Sequence, residues 1–266
     1  MGRKTEIGRV ARISCAALGV VLTTSALSGL GAGQNQGASI EQINPVAKEL
    51  LDKAVQAMGG PAFLQAKNLT TRGRVFIISE GATSGFAKFE NTDEYPHKRR
   101  FGYGEKNAVV LVNNGERGWQ LDRFGVIRQK PDQVHRWMVA NRYSLENTLR
   151  EVIREPGLLI QNGGTDFVDN LPARVVEIVD GRQVRIKVYL HKTRFLPIRI
   201  TYRVQDPETH EWQEFADVYS DYRPIQGIQT PFHITRLMDG RRYGETFRNY
   251  AEYNREFPPN YFTPGG

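Results

Sequence analysis

The chain has 266 residues and a mass of 30.2 kDa, with 36 Lys plus Arg against 29 Asp plus Glu and a formal net charge of +7. Hydrophobic residues make up 39% and charged residues 24%, which excludes a disordered chain, a collagen-like repeat and a multi-span membrane protein. Its one cysteine, Cys15, excludes an intrachain disulfide, and a chain of this length buries enough surface to fold without one.

The N-terminus opens with Arg3, Lys4, Arg9 and Arg12, followed by an uncharged stretch from Ile13 to Leu30 and the small residues Gly31-Ala32-Gly33. This is the order of a secretory signal, expected over residues 1–33, with cleavage after Ala26, Ser28 or Gly33. The competing reading is a retained N-terminal anchor, for which the apolar stretch is marginal in length. Cys15 begins the apolar stretch rather than following it, so it does not read as a lipid-attachment cysteine. Removing the four basic residues and Glu6 leaves a net charge of +4, and no nucleic-acid partner is expected.

Residues 34–44 read as a polar linker, and residues 45–266 as a single domain. Asn44 and Pro45 are an N-cap and a first helical residue. Ala47, Leu50, Leu51, Ala54 and Met58 share one helical face, and Gly59-Gly60 stops the helix. Residues 61–67 predict a further short helical turn. Beyond Leu69 the pattern turns to short alternating runs: 73–78, 85–91, 98–103, 108–112 and 118–122 predict strands, with turns at Asn113-Asn114-Gly115 and Phe124-Gly125. Connections this short imply antiparallel neighbours. Lys98-Arg99-Arg100 reads as a solvated strand edge. The segment 131–155 is helical in spacing, with Val134, Trp137, Met138, Leu145, Leu149, Val152 and Ile153 recurring, and Asn141 to Ser144 divides it. Strands resume at 175–179, 184–190, 198–204, 212–219, 228–238 and 243–253, with hairpin turns at Asp180-Gly181 and Asp239-Gly240. The fold class is therefore mainly β: a half-open, strongly curved antiparallel sheet of about ten or eleven strands, closed by two or three helices over an apolar cavity.

Chemistry-bearing patterns are sparse. His97, His135, His191, His210 and His233 have no metal-ligand spacing, and no nucleophile elbow or phosphate loop occurs. The acids around Asp93-Glu94 and at Asp217 and Asp221 read as loop and strand-edge carboxylates. An enzyme would need a polar cleft joining groups such as His135, His210 and Asp217. No enzymatic activity, cofactor or metal is expected. Asn68-Leu69-Thr70 matches a glycosylation acceptor in form. The 27 aromatic residues all follow residue 60 and suit a sheet with a large apolar interior.

The run from Tyr219 through Asp221-Tyr222, Gly227-Ile228, Pro231 and Ile234 to Arg236 resembles the F-x-D-Y-x-x-V-x-G-I-x-x-P-x-x-I pattern of outer-membrane lipoprotein-sorting proteins, the LolA/LolB-like group. The tail from Asn254 through Phe257 to Phe262 is similar to that family's end. So is the opening, where a helix ending Ala57-Met58-Gly59-Gly60 leads into Leu69 to Arg74. Val184 to Leu190 followed by Leu196-Pro197-Ile198-Arg199 resembles a further family pattern, although His191-Lys192-Thr193-Arg194 lacks its usual acidic residue. The resemblance covers roughly residues 45–262.

It implies a periplasmic binding or carrier protein for lipid or lipoprotein acyl chains, acting in lipoprotein sorting or envelope lipid handling. The segments 45–58 and 132–154 would serve as lids. A non-carrier envelope sensor on the same fold, contacting an inner- or outer-membrane protein, is the alternative. Candidate cavity-lining residues are those facing one way on the later strands: Ile186, Val188, Leu190, Ile198, Ile200, Tyr202, Ile228, Phe232 and Ile234. Trp137 and Met138 face them from the helical segment. Each is equally a packed-core position.

Overall fold

The computed structural model describes residues 42–206 and 208–265. The expected secretory segment and the linker up to residue 41 lie outside the described residues. Gln42 and Ile43, at the end of the expected linker, form a short strand, β1. The helix α1 (Pro45–Met58) starts where the sequence places it: Asn44 Oδ1 accepts from the Ala47 amide at 3.1 Å, and Pro45 occupies the first turn. Gly59 ends it at φ +128°, and a Cβ there would sit 2.6 Å from the Gly227 carbonyl oxygen. Only glycine meets both conditions. A short α2 (Pro61–Gln65) follows.

Six strands then run as a meander: β2 (Asn68–Ser79), β3 (Ala82–Glu94), β4 (Lys98–Tyr103), β5 (Val109–Asn114), β6 (Arg117–Asp122) and β7 (Gly125–Arg128). Two helices interrupt, α3 (Pro131–Arg142) and α4 (Leu145–Arg150). Seven more strands complete the chain: β8 (Leu159–Val168), β9 (Leu171–Val179), β10 (Arg185–His191), β11 (Pro197–Gln205), β12 (Trp212–Ile225), β13 (Ile228–Met238) and β14 (Arg241–Tyr253). Among the described residues, fourteen strands form one open sheet in the order β1-β8-β9-β10-β11-β12-β13-β14-β2-β3-β4-β5-β6-β7. Every pairing is antiparallel except β1 with β8.

The fold is thus mainly β, as the alternation predicts, with more strands than the ten or eleven expected. The additional ones are β1, β7 and β8, and each hides its pattern. β1 has two residues and β7 four exposed ones. β8 is polar and carries Gly163-Gly164 at a bulge, with Gly164 at φ +79°.

The main core lies between the helices and the inner face of the later strands. Leu50, Leu51 and Met58 of α1 pack with Leu145 and Leu149 of α4, and with Ile178, Ile186, Val188, Leu190, Ile200 and Ile228 of the sheet. A smaller cluster of Val168, Ala173, Val175, Tyr189 and Ile198 is separate from it. The residues after β14 return along the other side: the Tyr261 hydroxyl lies 3.3 Å from Thr92 Oγ1, and Phe262 is buried. Asn68 is buried, donates to the Arg255 carbonyl and accepts from the Arg255 amide. Its side-chain amide is committed to the tail rather than presented for modification.

The sheet is joined at the β14–β2 pair, where Phe247 lies opposite Arg74 and Arg248 opposite Gly73. A Cβ on Gly73 would stand 1.9 Å from the Phe247 carbonyl oxygen and 2.9 Å from Arg248 Cα. Neither atom can move without disturbing the ladder. Gly73→Ala is therefore expected to destabilise the fold by at least about 1–3 kcal/mol in urea unfolding. Gly85→Ala, on the next strand with open space around it, is expected to change little. Equal effects would contradict this reading of the join.

Candidate functional site

Strand register turns a set of charged residues toward the helices. Asp93 of β3 lies opposite Arg99 of β4, and Asp217 of β12 lies opposite Arg236 of β13. Arg236 is two residues from Ile234 and shares its face. Arg248 follows on β14. These side chains, with Thr71, Phe89, Asn91, Phe101, Tyr219, Ile234 and Thr246, floor a cavity of about 230 Å³. Trp137, Ala140 and Asn141 of α3, and Leu145 and Glu146 of α4, roof it. The expected apolar cavity is therefore lined by three carboxylates and three guanidiniums as well as apolar groups. Arg99 faces inward rather than forming a solvated edge, and Asp93 and Asp217 are floor residues rather than loop acids.

The floor charges are linked in two groups. Arg99 Nε donates to Asn91 Oδ1 at 2.9 Å, and Asn91 Nδ2 donates to Asp93 Oδ2 at 2.6 Å. Arg236 Nε stands 3.8 Å from Asp217, and its Nη1 donates to Thr246 Oγ1 at 3.1 Å. Arg248 Nη1 donates to the Pro231 carbonyl at 3.0 Å, while its Nε is buried without a partner. These groups are half-buried: about a third of the Asp217 and Arg236 side-chain surface stays accessible, at 32% and 36%. That surface opens into the cavity.

The electrostatics follow from this enclosure. Burial raises the carboxyls of Asp93, Glu146 and Asp217 above their ordinary range, outweighing the nearby guanidiniums: Arg99 for Asp93, Arg248 for Glu146 and Arg236 for Asp217. Burial lowers Arg99, and Asp93 only partly restores it. Burial also opposes the Arg236 charge, but Asp217 and the surrounding tyrosines outweigh it and raise that group.

The roof is held unevenly. At the C-terminal end of α3, Arg142 donates to both Glu155 oxygens, at 2.8 and 2.6 Å, and to Asp180 at 3.1 Å. The Asp180 side chain is fully buried, and also accepts from the Tyr143 hydroxyl and from the Arg182 and Val184 amides. Burial and Asp180 push the Tyr143 hydroxyl up to about 12. Asn141 and Asn147 both donate to the Pro96 carbonyl, at 2.7 and 3.0 Å.

The rest of α3 is thinly packed, with Val139 against the main core and Val134 against Gly118 of β6. Val134 is its only buried residue. Besides the charged cavity, a space of about 920 Å³ opens along Trp119, Val134, His135 and Met138, and another of about 400 Å³ along Pro96, Trp137, Met138 and Arg142. Arg136 is held by exposed ion pairs, to Asp132 at 3.2 Å and Glu208 at 3.4 Å, which contribute little.

The candidate lining residues are divided among these regions. Ile234 and Trp137 meet across the charged cavity, and Met138 lines the two flanking spaces. Ile186, Val188, Leu190, Ile200 and Ile228 lie in the packed core, with Tyr202 half-buried against it, its ring 5.0 Å from that of Tyr143. Ile198 belongs to the separate cluster, and Phe232 is buried under Arg223, 4.4 Å from its ring. Asp217 lines the charged cavity while His135 lines the 920 Å³ space. His210 sits in the turn before β12, with its amide donating to the Asp206 carbonyl. Among the described residues no group of three or more His, Cys, Asp or Glu could hold a metal ion.

No family model matches the chain, and no curated protein matches it. Solved structures do. A putative outer membrane lipoprotein-sorting protein domain from Vibrio parahaemolyticus aligns with a TM-score of 0.53 at 8% identity, covering 82% of this chain and 98% of that one. A DUF1329 family protein from Desulfovibrio piger aligns at 0.52 and 13% identity, covering 81% and 96%. The LolA superfamily protein NE2245 from Nitrosomonas europaea aligns at 0.51 and 14% identity, covering 82% and 97%. The protein therefore has the fold of LolA-superfamily and lipoprotein-sorting proteins.

A buried carboxyl with a raised pKa holds its proton more tightly in the folded than in the unfolded chain. Stability then falls as pH rises from the ordinary carboxylate range through the raised value. Glu146 has no cation within ion-pairing distance among the described residues to offset this. Glu146→Gln is expected to be more stable than wild type near neutral pH, with the difference closing as the solution is acidified below the ordinary carboxylate range. Parallel stability curves against pH would refute it.

Proposed function

We propose that this protein is a binding or carrier protein for acyl-chain-bearing amphiphiles, lipids or the acyl chains of lipoproteins, in the periplasm of a bacterial envelope, and that it carries out no turnover. The observation that carries the proposal is α3: a helix with one buried residue, fixed firmly at its C-terminal end and lying over three open spaces. The LolA-type fold and the secretory pattern of residues 1–33 support the same reading.

The charged cavity alone, at about 230 Å³, is below the ~300–1,000 Å³ usual for sites that enclose drug-sized ligands. A long chain is accommodated when α3 swings on its Arg142 and Tyr143 anchor and joins this cavity to the flanking spaces. Burying the chain gains about 0.8 kcal/mol per methylene. The polar groups of the ligand meet Asn91, Thr246 and the arginines of the floor, so the preferred cargo is an amphiphile rather than a plain hydrocarbon.

Native mass spectrometry of protein recovered without detergent tests the binding. A discrete mass excess, released by organic solvent and identified as lipid or lipopeptide, is expected. A bare mass together with failure to take up a fluorescent fatty acid would favour a protein-interaction role instead. The lid is tested separately. A Cβ at Gly118 would lie 2.8 Å from Cγ2 of Val134, which places cysteines at these positions within disulfide range once the Gln129 side chain gives way. In a Cys15→Ser background, oxidised Gly118→Cys/Val134→Cys protein is expected to lose fatty-acid uptake and to regain it on reduction. Unchanged uptake by the oxidised form would refute a moving α3.

A further inference from the structure

The face of the sheet turned away from the helices carries an uncovered row of aromatic rings. Phe86 of β3, Phe76 of β2 and Phe247 of β14 lie side by side across three strands, with ring centroids 5.9 and 5.7 Å apart. His233 of β13 extends the row, its ring stacked 4.3 Å from Phe247. Phe86 is 68% exposed and Phe247 43%. The C-terminal segment covers this face around Thr92 but leaves these rings bare.

Register puts Arg74 and Lys88 on the same face, directly opposite each other and next to the rings. The neighbouring acids are already engaged: Glu90 with Arg72 at 2.6 Å, and Glu245 with Arg242 at 3.0 Å. Arg74 and Lys88 are exposed and have no acidic partner among the described residues. The row therefore combines uncovered aromatic surface with two uncompensated positive charges.

Two kinds of occupant fit poorly. β2 and β14 are paired on both sides at Phe76 and Phe247, so a peptide strand finds free backbone groups only at the outer edge of β3 before Phe89, beside Phe86 and not across the row. Phe76 and Phe247 are perpendicular, so the rings do not form the flat platform on which successive sugars or bases stack. A bilayer interface needs neither feature. It accepts aromatic rings at headgroup level, and its anionic lipids attract exposed Lys and Arg.

We propose that Phe76, Phe86 and Phe247, with Arg74 and Lys88, form a docking surface for anionic lipid bilayers. This surface is on the opposite face from the cavities, and the proposal does not depend on what they hold.

The test is co-sedimentation of the protein as recovered from cells with phosphatidylcholine vesicles, with and without phosphatidylglycerol, at low salt. Binding to the phosphatidylglycerol vesicles, and much weaker binding to phosphatidylcholine alone, is expected. Arg74→Glu/Lys88→Glu is expected to lower binding at least about thirtyfold, taking roughly 1 kcal/mol per basic residue. Phe86→Ser/Phe247→Ser is expected to lower it as well, and thermal unfolding, shifted down by the lost ring contacts, checks that the variant is still folded at the assay temperature. Phe124→Ser, which removes an 83% exposed ring elsewhere, is expected to bind as wild type. No binding to phosphatidylglycerol vesicles would overturn the proposal. So would equal binding by wild type and both double variants, or a loss confined to Phe124→Ser.

Discussion

The architecture depends on one contact between backbones. β14 must lie against β2 closely enough for the Phe247 carbonyl to occupy the place of a side chain at residue 73. That approach joins the meander β2–β7 to the meander β8–β14. It also brings Arg248 beside the β3 and β4 residues that complete the cavity floor. Without the join, Asp93 and Arg99 would belong to one sheet, and Asp217 and Arg236 to another.

Above that floor the protein combines two packing regimes. α1 and α4 bury continuous apolar faces, and the core beneath them is filled. α3 does so only in part: Val139 packs on that core and Val134 lies against Gly118 of β6, but the rest of its inner side meets charge and open space, and its polar attachment is concentrated in the Arg142–Glu155–Asp180–Tyr143 network. A buried network of this kind is costly to break and directional, so it fixes one end of a helix without filling the volume under the remainder. Partial burial holds the carboxyls of Glu146 and Asp217 above their ordinary range. A ligand or a rearrangement that changes their surroundings therefore also changes their protonation.

Much of this was legible in the sequence. Asn44, Pro45 and Gly59 mark α1 to the residue, because caps are local chemistry. Asp239-Gly240 marks its hairpin, with both residues at positive φ. The inward charges are harder to recognise, although the alternation contains them: Arg236 is in phase with Ile234, and Asp217 with Tyr219. Polar residues in phase with buried ones are easily assigned to strand edges, since a charge facing inward makes sense only once a cavity is known to lie there. Likewise Ile186, Val188 and Ile200 have the correct face, but alternation cannot distinguish a packed interior from an open one. That depends on which helix lies above, a matter of tertiary contact. β8 leaves no period in the sequence, because glycines at its bulge and exposed polar residues erase it.

The position of the join also orders events in time. Asn68 and Arg255, bonded to one another at its end, are 187 residues apart in the chain. Hairpins within each meander close short loops at small entropic cost, whereas this pair closes nearly the whole domain. The sheet therefore cannot be completed until the last strand is available. Until then the β2 edge is an unpaired row of backbone donors and acceptors beside an exposed glycine. The chain thus remains open along that edge until β14 is in place, and is vulnerable to wrong partners just before closure.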